Sequence, residues 1–145
     1  VNNRERKRLS TLLVDAAGLG RFAAATAALR AGADPNRADR HGTTPLYAAS
    51  VHGATDVVTL LLRAGAAPDT ESGHGTEGTP LCAAACWGHT ETVRELLAHG
   101  ADPHLREDHG TGHTPLHWAE AGSHADTAAV LRAAGARADH GAVGR

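Results

Sequence analysis

Three tetrapeptides, Thr44-Pro45-Leu46-Tyr47, Thr79-Pro80-Leu81-Cys82 and Thr114-Pro115-Leu116-His117, each stand ahead of a glycine 19 residues beyond their Leu. Those glycines are Gly65 in "RAGAAPD", Gly100 in "AHGADPH" and Gly135 in "AAGARAD". A fourth such motif, "RAGADPN" around Gly32, has Leu13 at the same separation. The steps between successive glycines are 33, 35 and 35 residues. Because the Leu-to-Gly distance is constant, the two extra residues fall between Gly65 and Thr79 and again between Gly100 and Thr114. A period of this length, with insertions confined to one connection per unit, describes a stack of small units that bury their apolar faces against one another.

Each unit reads as helix, tight turn, helix, then a hairpin-like loop. In the second unit Thr44 is placed to cap a helix N-terminus through its hydroxyl. Pro45 follows at the first helical position, where a missing N–H costs little. Leu46 and Ala49 point inward, and Gly53 ends this short helix. Asp56 opens the next one, favoured by the positive end of the helix dipole. Val57, Val58, Leu60, Leu61 and Leu62 supply a wide apolar face. Gly65 sits where a left-handed C′ residue is wanted, and the proline beyond it stops the helix. The third unit repeats this with Thr79, Pro80, Leu81, Ala84, Gly88, Glu91, Val93, Leu96, Leu97 and Gly100. The fourth uses Thr114, Pro115, Leu116, Ala119, Ser123, Asp126, Ala129, Val130, Leu131 and Gly135.

The first unit is a worn copy, Thr11-Leu12-Leu13-Val14, without the proline. Its first helix is expected to start near Arg4, with Leu9, Leu12, Leu13 and Ala16 on one face and Asn2 and Glu5 as a capping pair. The basic run Arg4–Arg8 then becomes a solvated face that shields the end of the stack. Composition agrees with packed helices: hydrophobic residues make up 41% but aromatics only 3%, so the apolar content is mostly Ala, Leu and Val. A β-sandwich calls for more β-branched and aromatic residues. The richness in Ala, Gly and Arg is similar to that of proteins from high-GC bacterial genomes.

These residues resemble the ankyrin repeat family. Asp39-Arg40-His41-Gly42-Thr43-Thr44-Pro45-Leu46-Tyr47 follows the family's opening with Tyr in place of His, and Gly78 to His104 is the nearest stretch. The resemblance covers about residues 8 to 137 and implies an all-α ankyrin-repeat solenoid of stacked helix-turn-helix units joined by β-hairpin-like loops. The units are expected at 3-38, 39-71, 72-106 and 107-138, the outer two as caps, with 139-145 as a flexible tail. Departures from the family pattern touch local hydrogen bonds. His117 alone keeps the tetrapeptide His, which in the family bonds between units. Glu120 replaces a small residue, and Ala67 replaces an Asp.

Catalytic and metal chemistry find little footing. His104, His109 and His113 share one loop, but no C-x-x-C accompanies them and a zinc site needs about four converging ligands. Cys82 and Cys86 are helical neighbours that read as small packing residues, Cys86 nearer the exposed side. No G-x-S-x-G elbow is present. "GHGTEG" (Gly73 to Gly78) lacks the Gly-Lys-Ser/Thr ending of a phosphate loop and reads as an enlarged hairpin. A net charge of -2 leaves no electrostatic footprint for nucleic acid. No apolar stretch approaches a membrane span, and no secretory leader is expected from the polar, basic first residues.

The resemblance further implies a non-enzymatic scaffold without cofactors, binding a protein partner in a concave groove edged by loop tips. Carried over by alignment, the partner-binding positions are Arg40, His41, Thr43, Val51 and His52; then His74, Glu77, Cys86 and Trp87; then Asp108, His109, Thr111 and His113, with Ala121 and Gly122. His99 is expected near the groove from an outer helix. Glu71, Arg106 and Glu107 extend its edge. Trp87 is the expected hot spot, whereas Trp118 aligns with a buried position and is expected in the core. A monomeric cytoplasmic protein is expected. The alternative is a sensor whose His-rich loops take up metal or protons.

Overall fold

The first helix begins where its cap requires. In the computed structural model, which describes residues 2–137, Asn2 accepts a hydrogen bond from the Glu5 N–H at 2.9 Å and α1 runs Asn3–Gly18. The helices α2 (Phe22–Arg30), α3 (Pro45–Val51), α4 (Thr55–Arg63), α5 (Pro80–Cys86) and α6 (Thr90–Ala98) follow. A one-turn α7 (Glu107–Gly110) precedes α8 (Pro115–Ala121) and α9 (Ala125–Ala133). The three tetrapeptide threonines behave alike: the hydroxyls of Thr44, Thr79 and Thr114 accept from the N–H of Tyr47, Cys82 and His117 at 3.2, 3.1 and 3.2 Å. Each such cap contributes about 1 kcal/mol.

The helices form two layers. In the first, α1, α3, α5 and α8 pack in succession; in the second, α2, α4, α6 and α9 do. Leu13, Leu46, Leu81 and Leu116 run through the first layer fully buried, and Val57, Val58, Leu61, Val93, Leu96, Ala128 and Leu131 fill the seam behind. The all-α solenoid expected from the repeat is what forms. The expected tail 139–145, and the last unit's bound at 138, lie outside the described residues.

Side chains tie unit to unit. His89 Nε2 donates to the Val51 carbonyl and His124 Nε2 to the Cys86 carbonyl, both at 3.0 Å, so Nε2 carries the proton in each ring. Thr55 meets Thr92 at 2.9 Å and Thr90 meets Thr127 at 2.8 Å across the second layer. Asn36 accepts from the Ala67 N–H at 2.7 Å and donates to the Gly65 carbonyl at 3.0 Å, while Asp69 accepts from the Asp102 N–H at 3.0 Å. The aspartates Asp34 and Asp102 fold their loops by accepting from Asn36 and His104 N–H. Ala67 has no such oxygen, which is the local loss its substitution implied.

Leu12 departs from expectation. It is 45% exposed, while the inward arc of α1 holds Leu9, Ser10, Leu13, Val14, Ala16 and Ala17. Its equivalents Pro45, Pro80 and Pro115 are buried between units. Among the described residues α2 and α3 pack against α1, and Leu12 lies outside the arc they cover.

Candidate functional site

The lengthened connections are built from the sequence outward. Hairpins close with Asp39 N–H on the Thr43 carbonyl, Ser72 on Gly78 and Glu107 on His113, at 3.0, 2.9 and 3.1 Å. The two extra residues therefore sit at the loop tip. Making room for them forces His74 (φ 56), Asp108 (φ 54) and His109 (φ 55) into the left-handed region. For non-glycine residues that costs of order 1 kcal/mol each. Packing holds them there. The His74 ring lies against Gly42 and the His109 ring against Gly75, so close that a Cβ on either glycine would fall 2.7 or 2.5 Å from the ring. The Gly73 N–H donates to the Gly42 carbonyl at 2.8 Å, joining one loop to the next.

Several expected contact residues serve this framework. Thr43 donates to Glu77 at 3.0 Å, and Glu77 also accepts from the buried Ser72 hydroxyl at 2.7 Å, which itself accepts from the Thr44 N–H. Glu71 takes the His109 N–H at 2.7 Å and lies 3.1 Å from its Nδ1. Thr111 donates to the Asp108 carbonyl. Arg40 Nε donates to the His41 ring at 3.2 Å. These tips stand at the N-terminal ends of the first-layer helices. Leu19, His52, Trp87 and Gly122 cap the C-terminal ends of α1, α3, α5 and α8. Trp87 is 63% exposed and Leu19 65%, with Val51 and Cys86 half-buried beside their caps. Leu19 escaped the sequence reading, although it precedes Gly20 as Trp87 precedes Gly88. His99 is placed elsewhere. It caps the second-layer α6, and its ring turns back to the Glu95 carbonyl of its own helix at 3.1 Å.

Trp118 is not core. It is half-buried, packed against the core on one side, and its indole N–H donates to Glu107 at 2.5 Å. An indole nitrogen needs a polar partner when covered, and the inserted loop carries Glu107 to it. Next to it the His113 and His117 rings stack with centroids 3.7 Å apart, and each meets Trp118 edge-on at 5.4 Å. The tetrapeptide His is thus engaged inside its own unit. His104, His109 and His113 point to different neighbours, and among the described residues no three metal-capable side chains converge.

Burial pushes the Glu107 carboxyl above its usual value, only partly offset by the Trp118 hydrogen bond. Burial likewise raises the Tyr47 phenol, helped by the negative charges of Glu77 and Glu107. The Cys82 thiol is pushed up to about 12 by burial, and Cys86 is raised by burial and by Glu107, so neither is an activated nucleophile. For Glu107 the raised value means that the folded state keeps its proton to higher pH than the unfolded chain. Its stabilising contribution is present below 4.5 and is lost as pH rises through the raised value. Glu107→Gln keeps an acceptor for Trp118 and removes the charge. It is expected to melt higher than the parent near pH 7, by about 2 °C or less at this half-exposed site, with the gap closing at about pH 4. A lower melting point near neutrality would mean that the charge stabilises.

Among the described residues no helix is long and apolar enough to cross a membrane. A comparison with curated proteins finds no match. Two family models do match: one described as ankyrin repeats (3 copies) over residues 67–141, and one described as ankyrin repeat over residues 41–72. Neither reaches the worn first unit, yet α1 and α2 pack onto α3 and α4 as one more helix pair. With the capped Thr-Pro-Leu helices and the two-layer stack, these matches show that the chain belongs to the ankyrin repeat family, whose repeats generally mediate protein–protein interaction.

Proposed function

We propose that this chain is a non-enzymatic interaction scaffold that takes a partner protein across the exposed face of its first layer, between the loop tips and the row of helix C-caps. The exposure of Trp87 carries this reading. A tryptophan left 63% open at the end of a packed helix is a large apolar surface with few degrees of freedom. Exposed aromatics on rigid frames supply most of the energy of many interfaces. Leu19 and His52 continue the row, and Arg40, His41, His74, Asp108, Thr111 and His113 rim the other side. The helices are already ordered, so association costs little conformational entropy.

The test compares capture of partner proteins from the source cell by the parent chain and by Trp87→Ala. The expected result is loss of a specifically retained protein, equivalent to about 2 kcal/mol or roughly 30-fold in affinity, with an unchanged melting temperature. Equal retention by both chains would refute the assignment, and so would a melting temperature lowered by several degrees, since that marks Trp87 as structural.

A further inference from the structure

We propose that the cleft between α1 and residues 37–40, at the first end of the stack, docks a short acidic segment of a partner protein. The cleft has a volume of about 430 Å³, and Lys7, Arg8, Ser10, Arg37, Asp39 and Arg40 line it. Among the described residues, Lys7 and Arg37 have no carboxylate partner; Arg8 is held by Glu5 at 2.7 Å, and Arg40 only by the His41 ring. The one acid in the wall, Asp39, is occupied in accepting from the N–H groups of His41 and Thr43 at 2.9 and 3.1 Å. A second observation is independent of charge. Ser10 is 2% exposed, and its hydroxyl is buried without a hydrogen-bond partner. Its helix neighbour Thr11 donates to the Lys7 carbonyl at 3.1 Å, the usual outlet for a helical hydroxyl. A buried hydroxyl left unpaired is costly, and a carboxylate entering the cleft is an acceptor for it.

The chemistry favours carboxylates in a short run. Arginine presents a planar fork that matches a carboxylate with two parallel hydrogen bonds. Residues 1–40 hold eight of the fourteen Lys and Arg but only four of the sixteen Asp and Glu. The rest of the chain is therefore acid-rich. A long polyanion such as a nucleic acid, lying along the stack, meets Glu77, Glu107 and Asp108, whereas a few acidic residues need only the cleft. The proposal deepens the scaffold reading by giving the chemistry of one part of the partner, and it does not depend on Trp87.

The probe is a fluorescein-labelled eight-residue peptide of Glu, Asp and Gly, read by anisotropy with the full chain. Its Gln, Asn and Gly counterpart and a single-stranded oligonucleotide of equal charge are run beside it. Expected are binding of the acidic peptide that weakens with added salt, little binding of the neutral one and weaker binding of the oligonucleotide. The triple variant Lys7→Gln, Arg37→Gln, Arg40→Gln should lose about tenfold or more in affinity with its melting temperature intact. Ser10→Ala should bind the peptide more weakly yet melt higher, because an unpaired buried group is gone. Trp87→Ala should bind the peptide as the parent does. No binding of the acidic peptide, equal or tighter binding of the oligonucleotide, or a triple variant that binds unchanged would each overturn the proposal. Because Trp87→Ala is read separately, failure here and failure of the scaffold reading leave different signatures.

Discussion

Leu81→Ala is expected to cost about 3 kcal/mol, the largest loss from any single tetrapeptide position. Leu81 is 1% exposed on α5, which packs against α3 on one side and α8 on the other. Truncating it removes apolar surface from both junctions at once. The backbone cannot collapse into the void, because the Thr79 cap fixes the start of α5 and the His124 bond fixes its end. Among the described residues the same change at Leu13 touches the junction of α1 with α3, whereas Leu81 touches those of α5 with α3 and α8. Measured by urea unfolding, Leu81→Ala should lower the midpoint with an unchanged slope if the stack unfolds as one body. A shallower slope would show the end units separating from a weakened middle, as nearest-neighbour coupling in a solenoid allows. A loss below about 1 kcal/mol would mean that the site repacks. With total stabilities commonly about 5–15 kcal/mol, the expected loss is a large share of the whole.

What could be read beforehand divides along a physical line. Thr44, Pro45, Gly53 and Gly65 act on backbone within a few residues of themselves, so a single sequence displays their work. Leu46, Leu81 and Leu116 are likewise legible from spacing. The loop rim was not. His74, Asp108 and His109 take left-handed angles that no local motif demands; they are held by glycines of the preceding loop and by Glu71. That conformation delivers Glu107 to Trp118, which is why a residue aligned with the core ends as half-buried rim. Leu12 failed for a different reason. Its spacing fits a helix face, but the arc that α1 turns to α2 and α3 holds Leu9, Leu13 and Ala17, and Leu12 falls beside it. Thr43 and Glu77 were read as separate contact positions, yet they bond to each other across units, a partnership 34 residues apart in sequence. Ser123 shows the reverse case: it takes φ 59 where Gly20, Gly53 and Gly88 stand in the other units, so the stack imposes the angle on whatever residue is there.

Gly53→Ala is expected to destabilise by about 3 kcal/mol, more than left-handed strain alone. Gly53 has φ 67, which adds about 1–2 kcal/mol for a residue with a Cβ. The added Cβ would also fall 2.5 Å from Nδ1 of His89, whose ring is held by the hydrogen bond from Nε2 to the Val51 carbonyl. The ring must leave, and the Val51 carbonyl at the end of α3 loses its partner, adding roughly 1–2 kcal/mol. A double-mutant cycle separates the two contributions. In a His89→Ala background the ring is absent, so Gly53→Ala should cost only the backbone strain. The coupling between the two sites should then be about 1 kcal/mol or more. Strict additivity would show that the ring does not contribute to the junction between the second and third units. The His124 ring stands over Gly88 in the same way, so Gly88→Ala should repeat the result one junction further on. The first junction has Ala54 where His89 stands, facing Gly20 with its Cβ 3.7 Å from one added there. At that junction Gly20→Ala should show the strain without the coupling, and chemical unfolding of all three variants against their parents measures the difference.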